Sequence, residues 1–257
     1  ATRLGVKTEF ISEPGTCPET ALPLSWRRGV NAALIEERLR ADSGHQIKAV
    51  CVVHNETSTG VTSDIAAVRR AIDAARHPSL LMVDTISGLA SADYRHDEWG
   101  VDVAISGSQK GLMLPPGLSF NALSPRALEV NRGAKLPRSF WAWDEIVEMN
   151  QTGYWPYTPS TNLLYGLNEA LEMLLEQGLP TVLARHQRWA AGVRAAEIAL
   201  EMAKDGERRV VDHCLHDPVA GGVFDFDVEL FAIDRDPIGA DRDIVQDVID
   251  LHLPFRR

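Results

Sequence analysis

Hydrophobic positions in the early part of the chain fall into two spacings that alternate with one another. Leu4–Ile11 shows partial alternation and predicts a strand, after which Pro14-Gly15-Thr16 breaks the chain. Between Val30 and Leu39, the residues Val30, Leu34, Ile35 and Leu39 recur at helical spacing, with Glu36, Glu37, Arg38 and Arg40 on the other faces. Ile47–Val53 is a short run rich in β-branched residues, interrupted by Lys48, and predicts a strand covered on both sides. Ser63-Asp64 is a helix start, followed by a stripe of Ile65, Val68, Ile72 and Ala75 that ends near His77-Pro78. Leu80–Val83 and Val101–Ile105 read as two more strands.

Strand, helix, strand, linker, strand is the order of an open α/β sheet with crossover connections and mostly parallel strands. Ligands of such sheets bind beyond the carboxyl ends of the strands. Asn55 to Gly60, Asp84 and Lys110 all fall at those ends, on strands that would lie about 4.8 Å apart if adjacent.

From 111 to 161 the pattern becomes loop-rich, with Pro115-Pro116-Gly117, Pro137, Pro156 and Pro159. It is also aromatic: Phe140, Trp141, Trp143, Tyr154, Trp155 and Tyr157. A helix is predicted over Asn162–Gln177, stopping at Gly178-Leu179-Pro180, and a longer one over Thr181–Lys204. Beyond Gly206 periodicity weakens; strands are read at Val223–Phe226 and Leu230–Ala232, and a helix at Asp243–Leu251.

Composition narrows the classes. The 257 residues, 45% hydrophobic and 24% charged, suit one large or two modest globular domains. A net charge of −10 argues against nucleic acid or an anionic membrane as the main partner. No apolar run reaches the roughly 20 residues needed to span a bilayer, and the amino terminus lacks a signal-peptide pattern. Cys17, Cys51 and Cys214 are few, odd in number and far apart, which reads as reduced thiols in a cytoplasmic protein.

The candidate chemistry centres on Ser106-Gly107-Ser108-Gln109-Lys110-Gly111 and on Asp84. A lysine and an aspartate at the ends of two neighbouring strands are what pyridoxal phosphate (PLP) needs. The lysine forms the Schiff base, and the aspartate keeps the pyridine nitrogen protonated. On these residues alone, a solvated lysine and a turn-capping aspartate remain the alternatives. His213, Cys214 and His216 lack further ligands at zinc-like spacing and read as surface residues. Asp234-Arg235-Asp236 before Gly239 lacks the remaining ligands of a calcium loop. His54 and His96 read as structural hydrogen-bonders.

Three ordered motifs then point to a family: His54-Asn55-Glu56-Thr57-Ser58-Thr59-Gly60-Val61, Val83-Asp84-Thr85-Ile86-Ser87-Gly88, and Ser106 to Gly111 with Pro115-Pro116-Gly117 behind. Together they resemble the class V aminotransferases, within them the serine–glyoxylate and alanine–glyoxylate group. Tyr154-Trp155-Pro156-Tyr157-Thr158-Pro159 and Asn162-Leu163-Leu164-Tyr165-Gly166-Leu167 resemble the serine–glyoxylate branch. The resemblance covers about residues 1 to 195. It implies PLP fold type I (aspartate aminotransferase-like). Residues 1–180 would be a large domain with a mostly parallel sheet, and 181–257 a connecting helix with a partial small domain.

It also implies roles. Lys110 would hold PLP and move a proton between the substrate and the cofactor, and Asp84 would pair with the pyridinium nitrogen. Ile86 would bear on one face of the ring. Thr57 would contact the cofactor near ring and phosphate, and Gln109 would help hold the phosphate. Thr158 would donate to the phosphate of a partner subunit's cofactor in a homodimer. The aromatic loop Phe140–Tyr157 would then be interface, its alternative being local core. The reaction implied is ping-pong transamination from L-serine, or alanine or aspartate, to glyoxylate, giving hydroxypyruvate and glycine. Substrates would be small amino acids and 2-oxo acids.

Family members are longer at both ends. The resemblance therefore sets a second expectation: an incomplete chain, lacking the Gly/Ser/Thr phosphate loop and the stacking aromatic, that binds PLP weakly or not at all and only dimerises. Arg235 and Arg242 are the arginines in the half where relatives bind the substrate carboxylate, with no motif around either. A related cysteine desulfurase would need a mobile cysteine, and Cys214 lies outside the matching region.

Overall fold

The computed structural model describes residues 5–12 and 28–205 other than Pro137, Ser139 and Trp141, and of 197–205 the backbone alone. The chain divides into two compact units, Ala1–Glu201 and Met202–Arg257. The elements that follow belong to the first, apart from the last turn of the final helix.

Helix α1 (Ala32–Ala41) begins at Asn31, whose side-chain oxygen accepts the N–H of Ala33, and buries Ile35 and Leu39. Strand β1 (Ala49–Val53) follows. Helix α2 (Ile65–Ala74) is capped by Asp64, which accepts the N–H of Ala67 at 2.8 Å, and it buries Ile65, Val68, Ala71 and Ile72. Strands β2 (Leu80–Asp84) and β3 (Val103–Gly107) complete the parallel set.

The four-stranded sheet has the order β1-β2-β3-β4, with β4 spanning Ser119–Leu123. β1, β2 and β3 are parallel, and Val53, Asp84 and Ile105 form one rung, at the carboxyl ends of β1 and β2 and two residues short of that of β3. β4 runs antiparallel to β3, with Gly107 opposite Ser119. The core lies on one face of the sheet. Val52, Leu81, Val83 and Ala104 meet Ile35 and Leu39 of α1 and Ile65, Val68 and Ile72 of α2.

Two strand expectations are corrected. Residues 5–12 form no strand: they have no ladder partner among the described residues, and Phe10 is 93% exposed. An alternating pattern without a neighbouring strand leaves its backbone polar groups to water. Arg38 forks the Glu9 carboxylate at 2.7 and 2.9 Å from α1. β1, in turn, is not covered on both sides. Val52 is buried, while Cys51 and Val53 are exposed, because α1 and α2 contribute to the same core on one side.

The segment read as loop-rich contains β4, α3 (Pro125–Arg132) and α4 (Trp143–Gln151). Ser124 caps α3, accepting the N–H of Ala127 at 3.0 Å and donating to Asp102. Helix α5 (Thr161–Gln177) ends where Gly178 takes a φ of 78°, and α6 (Leu179–Asp205) begins at once. No helix among the described residues is long and apolar enough to cross a membrane. The strands expected at Val223–Phe226 and Leu230–Ala232, and the helix at Asp243–Leu251, lie outside the described residues.

Candidate active site

Asp84 is the last residue of β2 and half-buried. Its Oδ1 accepts the N–H of Ile86 at 2.9 Å, and Oδ2 shows no hydrogen bond among the described residues. The next residue, Thr85, is fully buried and fastens this strand end to β3: its N–H and its hydroxyl both donate to the carbonyl of Ile105, at 2.8 and 2.9 Å. The chain then turns, with the N–H groups of Gly88 and Leu89 donating to the Thr85 carbonyl. Gly88 allows close approach here, since a Cβ would lie 2.5 Å from Nδ1 of His54.

Lys110 stands three residues beyond the end of β3, exposed, on a loop closed from inside by Ser108. The Ser108 hydroxyl donates to the carbonyl of Pro115 at 2.7 Å and accepts the N–H of Leu118 at 3.2 Å. Ser108 also exchanges backbone bonds with Leu114 and Leu118. Gly111, next to the lysine, is buried against the loop that follows Asp84. The two loops therefore dock backbone to backbone.

Thr57 lies beyond β1, the strand next to β2, in a tight hairpin. Asn55 bridges Thr62, Glu56 N–H donates to Val61 and Gly60 N–H to Glu56. The Glu56 carboxylate accepts from the N–H and the hydroxyl of Ser58, and these bonds hold it below the usual carboxylate range. Ile86 is half-buried and Gln109 exposed. The fold thus brings Thr57, Asp84, Ile86, Gln109 and Lys110 to one end of three adjacent strands. Thr158 is exposed in the segment leading to α5, with no hydrogen bond to that end of the sheet among the described residues.

These residues fit PLP on one structural ground: the fold leaves their polar groups unspent. Among the described residues no hydrogen bond engages the Thr57 hydroxyl, Asp84 Oδ2, the Gln109 amide or the Lys110 amine. A carboxylate oxygen, an amine and two neutral donors are the set that a pyridine nitrogen, an aldehyde and a phosphate require.

The reading of the two histidines divides. His96 shares a 3.0 Å hydrogen bond between its Nδ1 and the Tyr94 hydroxyl. His54 does not bond through Nδ1; it is 1% exposed, with the rings of Tyr94 and Trp99 at 5.5 and 5.9 Å. Burial pushes its pKa below the ordinary histidine value. Sequence reasoning missed the buried roles of Thr85, Ser108 and Gly111, whose partners are distant in the chain. Among the described residues no cluster suits a metal ion. His213, Cys214, His216, Asp234 to Asp236, Arg235 and Arg242 lie outside the described residues.

Residues 27–201 match the family model described as aminotransferase class-V. The L-aspartate–glyoxylate aminotransferase of Paracoccus denitrificans (strain Pd 1222) is 54% identical over 198 residues, covering 76% of this chain and 46% of that protein. The serine–glyoxylate aminotransferase of Hyphomicrobium methylovorum is 47% identical over 196 residues, with coverage of 76% and 46%. The chain thus spans about half the length of these relatives. Among solved structures, the subgroup IV aspartate aminotransferase of Thermus thermophilus superposes with a TM-score of 0.53 at 33% identity, covering 63% of this chain and 44% of that one. The fold is accordingly part of PLP fold type I, α/β with a mostly parallel sheet. With a family model matched over more than half its length, and with lysine and aspartate at the ends of neighbouring parallel strands, the chain belongs to the class V aminotransferases, which are PLP-dependent.

Proposed function

We propose that the chain carries the PLP-binding part of an aminotransferase that moves an amino group from a small amino acid to glyoxylate. L-Serine is the donor we favour, giving hydroxypyruvate and glycine, with alanine or aspartate as alternatives. The observation that carries the reading is the placement of Asp84 at the end of β2 and of Lys110 beyond the end of the adjacent parallel strand β3, with Asp84 Oδ2 and the Lys110 amine in no hydrogen bond among the described residues. Glyoxylate comes from the names of both relatives, which differ in donor, aspartate in one and serine in the other.

When bound, PLP supplies an aldehyde carbon that accepts the amino group and a ring that draws electrons from the substrate α-carbon. The chain's own residues do the rest. Lys110 Nζ would hold the cofactor, then as a neutral amine take the proton from the substrate α-carbon and deliver it to the cofactor carbon that received the amino group. Asp84 Oδ2 would accept the hydrogen bond of the ring nitrogen, while Oδ1 stays committed to Ile86 N–H. The Ile86 side chain would bear on the ring, excluding water from that face. Thr57 and Gln109 would donate to the cofactor's oxygens.

The same reading makes residues 1–180 the cofactor domain and the assembly a homodimer, with Thr158 serving the partner's phosphate. Exposed aromatic surface supports an interface there: Phe140 is 59% exposed and Tyr154 69%.

The test is to add PLP to the purified chain, reduce with borohydride and map the modified lysine. Modification of Lys110, lost in Lys110→Ala, is the expected result. Modification elsewhere, or none, overturns the assignment. Modified Lys110 without glycine formation from serine and glyoxylate would instead favour a chain that binds cofactor and dimerises without turnover.

A further inference from the structure

The hairpin that carries Thr57 is closed on itself, and one side chain ties it to the loop that carries Asp84. Within the hairpin, Asn55 pairs with Thr62, Thr62 donates its hydroxyl to Asn55 Oδ1 at 2.9 Å, and Glu56 is bonded to Val61, Gly60 and Ser58. These bonds make residues 55–62 a small rigid body whose members bond mainly to one another. Ser87 provides the link outward. Its hydroxyl donates to the Asn55 carbonyl at 2.5 Å and accepts from Asn55 Nδ2 at 3.1 Å. Both bonds are half-buried and span thirty-two positions of sequence. Among the described residues, no other side-chain hydrogen bond joins 55–62 to the loop after β2.

Ser87 itself lies three residues past Asp84, on the turn pinned by Thr85 to β3 and seated over His54 through Gly88. Its end of the link is therefore fixed, and the hairpin end is the one that moves when the link is cut. We propose that Ser87 is a positioning residue: through Asn55 it sets Thr57 at a fixed place relative to Asp84 and Ile86. Its hydroxyl spends its proton and accepts one bond within this link, so it acts on the cofactor through Thr57. The inference rests on the PLP reading for its consequence, and on the hydrogen bonds alone for the link.

The two are tested apart. In the chain without cofactor, Ser87→Ala should speed amide hydrogen exchange in the peptide covering 55–62 by about three- to tenfold, the factor for one net hydrogen bond, with β2 and β3 unchanged. Ser87→Thr, which keeps the hydroxyl, should restore slow exchange. Unchanged exchange in Ser87→Ala, or acceleration spread equally over the sheet, overturns the link. With PLP, Ser87→Ala should weaken binding by a similar factor, read from the visible absorbance of the lysine-bound cofactor. In a Thr57→Ala background the same change should add little, because the effect runs through Thr57. Additive losses overturn the positioning role. Failure to modify Lys110 in the unaltered chain would overturn the PLP reading, with the exchange result still deciding the link.

Discussion

The Cα of Gly111 faces the carbonyl oxygen of Leu89 so closely that a side-chain carbon there would stand 2.1 Å from it, and 2.6 Å from the Ser91 hydroxyl. The obstructing atom is backbone, so it cannot swing away. Gly111→Ala should force the Lys110 loop off the loop that follows Asp84, at a cost of about 3 kcal/mol. Urea unfolding of the variant measures it, and a loss under about 1 kcal/mol would show that the loops are not docked as described.

Gly192 is the opposite case. It is exposed in α6, and a Cβ added there would meet no atom within 4 Å. Gly192→Ala should raise stability by about 0.5–1 kcal/mol, the helix-propensity difference. Thermal unfolding that shows no gain would mean that this turn of α6 is not helical in solution.

Asp102 anchors the far end of β3, away from the site. It is 4% exposed and accepts from Leu81 N–H at 2.9 Å, the Ser124 hydroxyl at 3.1 Å and Arg126 Nη1 at 2.9 Å. Asp102→Ala should cost about 3 kcal/mol, since it leaves three donors without their acceptor. Asp102→Asn should cost less. PLP modification of Lys110 should survive in both under conditions where they are folded. Loss of modification in folded Asp102→Asn would tie this end of the sheet to the site.

His54 makes stability depend on pH. Its folded pKa lies below the ordinary 6.5 because burial disfavours the charged ring. Between that lowered value and 6.5 the unfolded chain binds the proton and the folded chain does not. Stability from this residue is therefore full above about pH 6.5 and falls as pH drops through that window. Denaturation between pH 7 and 5 should show a slope of at most about 1.4 kcal/mol per unit from this one group. His54→Gln should flatten it. An unchanged slope in the variant would assign the effect to another group; Glu56, also lowered, titrates in a more acidic window.

What could be read in the sequence was what local periodicity and chemistry encode. α1, α2, α5 and the three parallel strands follow their apolar spacing, and Asp84 and Lys110 stand out as charged residues where apolar runs end. β4 was hidden because its five residues offer only Phe120 and Leu123 as large apolar positions and follow closely on Pro115-Pro116-Gly117, which reads as loop. α3 and α4 are short and surrounded by proline and aromatic residues, which read as loop. The apolar run at β1 reported composition, not cover: Val53 is exposed because α1 and α2 serve the other face. Within the site, the roles of Ser87, Ser108 and Gly111 depend on partners in other loops, and no single-residue signal marks them.

The strands lie side by side in the order in which the ribosome delivers them. Ala49 pairs with Leu80, Met82 with Val103 and Gly107 with Ser119, so each strand is added next to the one made before it. Every closure spans a short length of chain, and the entropy of closing a loop rises only slowly with that length. Mixed α/β topologies of this kind fold at rates between those of helical bundles and all-β sandwiches. The strand ends bearing Asp84 and Lys110 can therefore meet during synthesis, before α5 and α6 have left the ribosome.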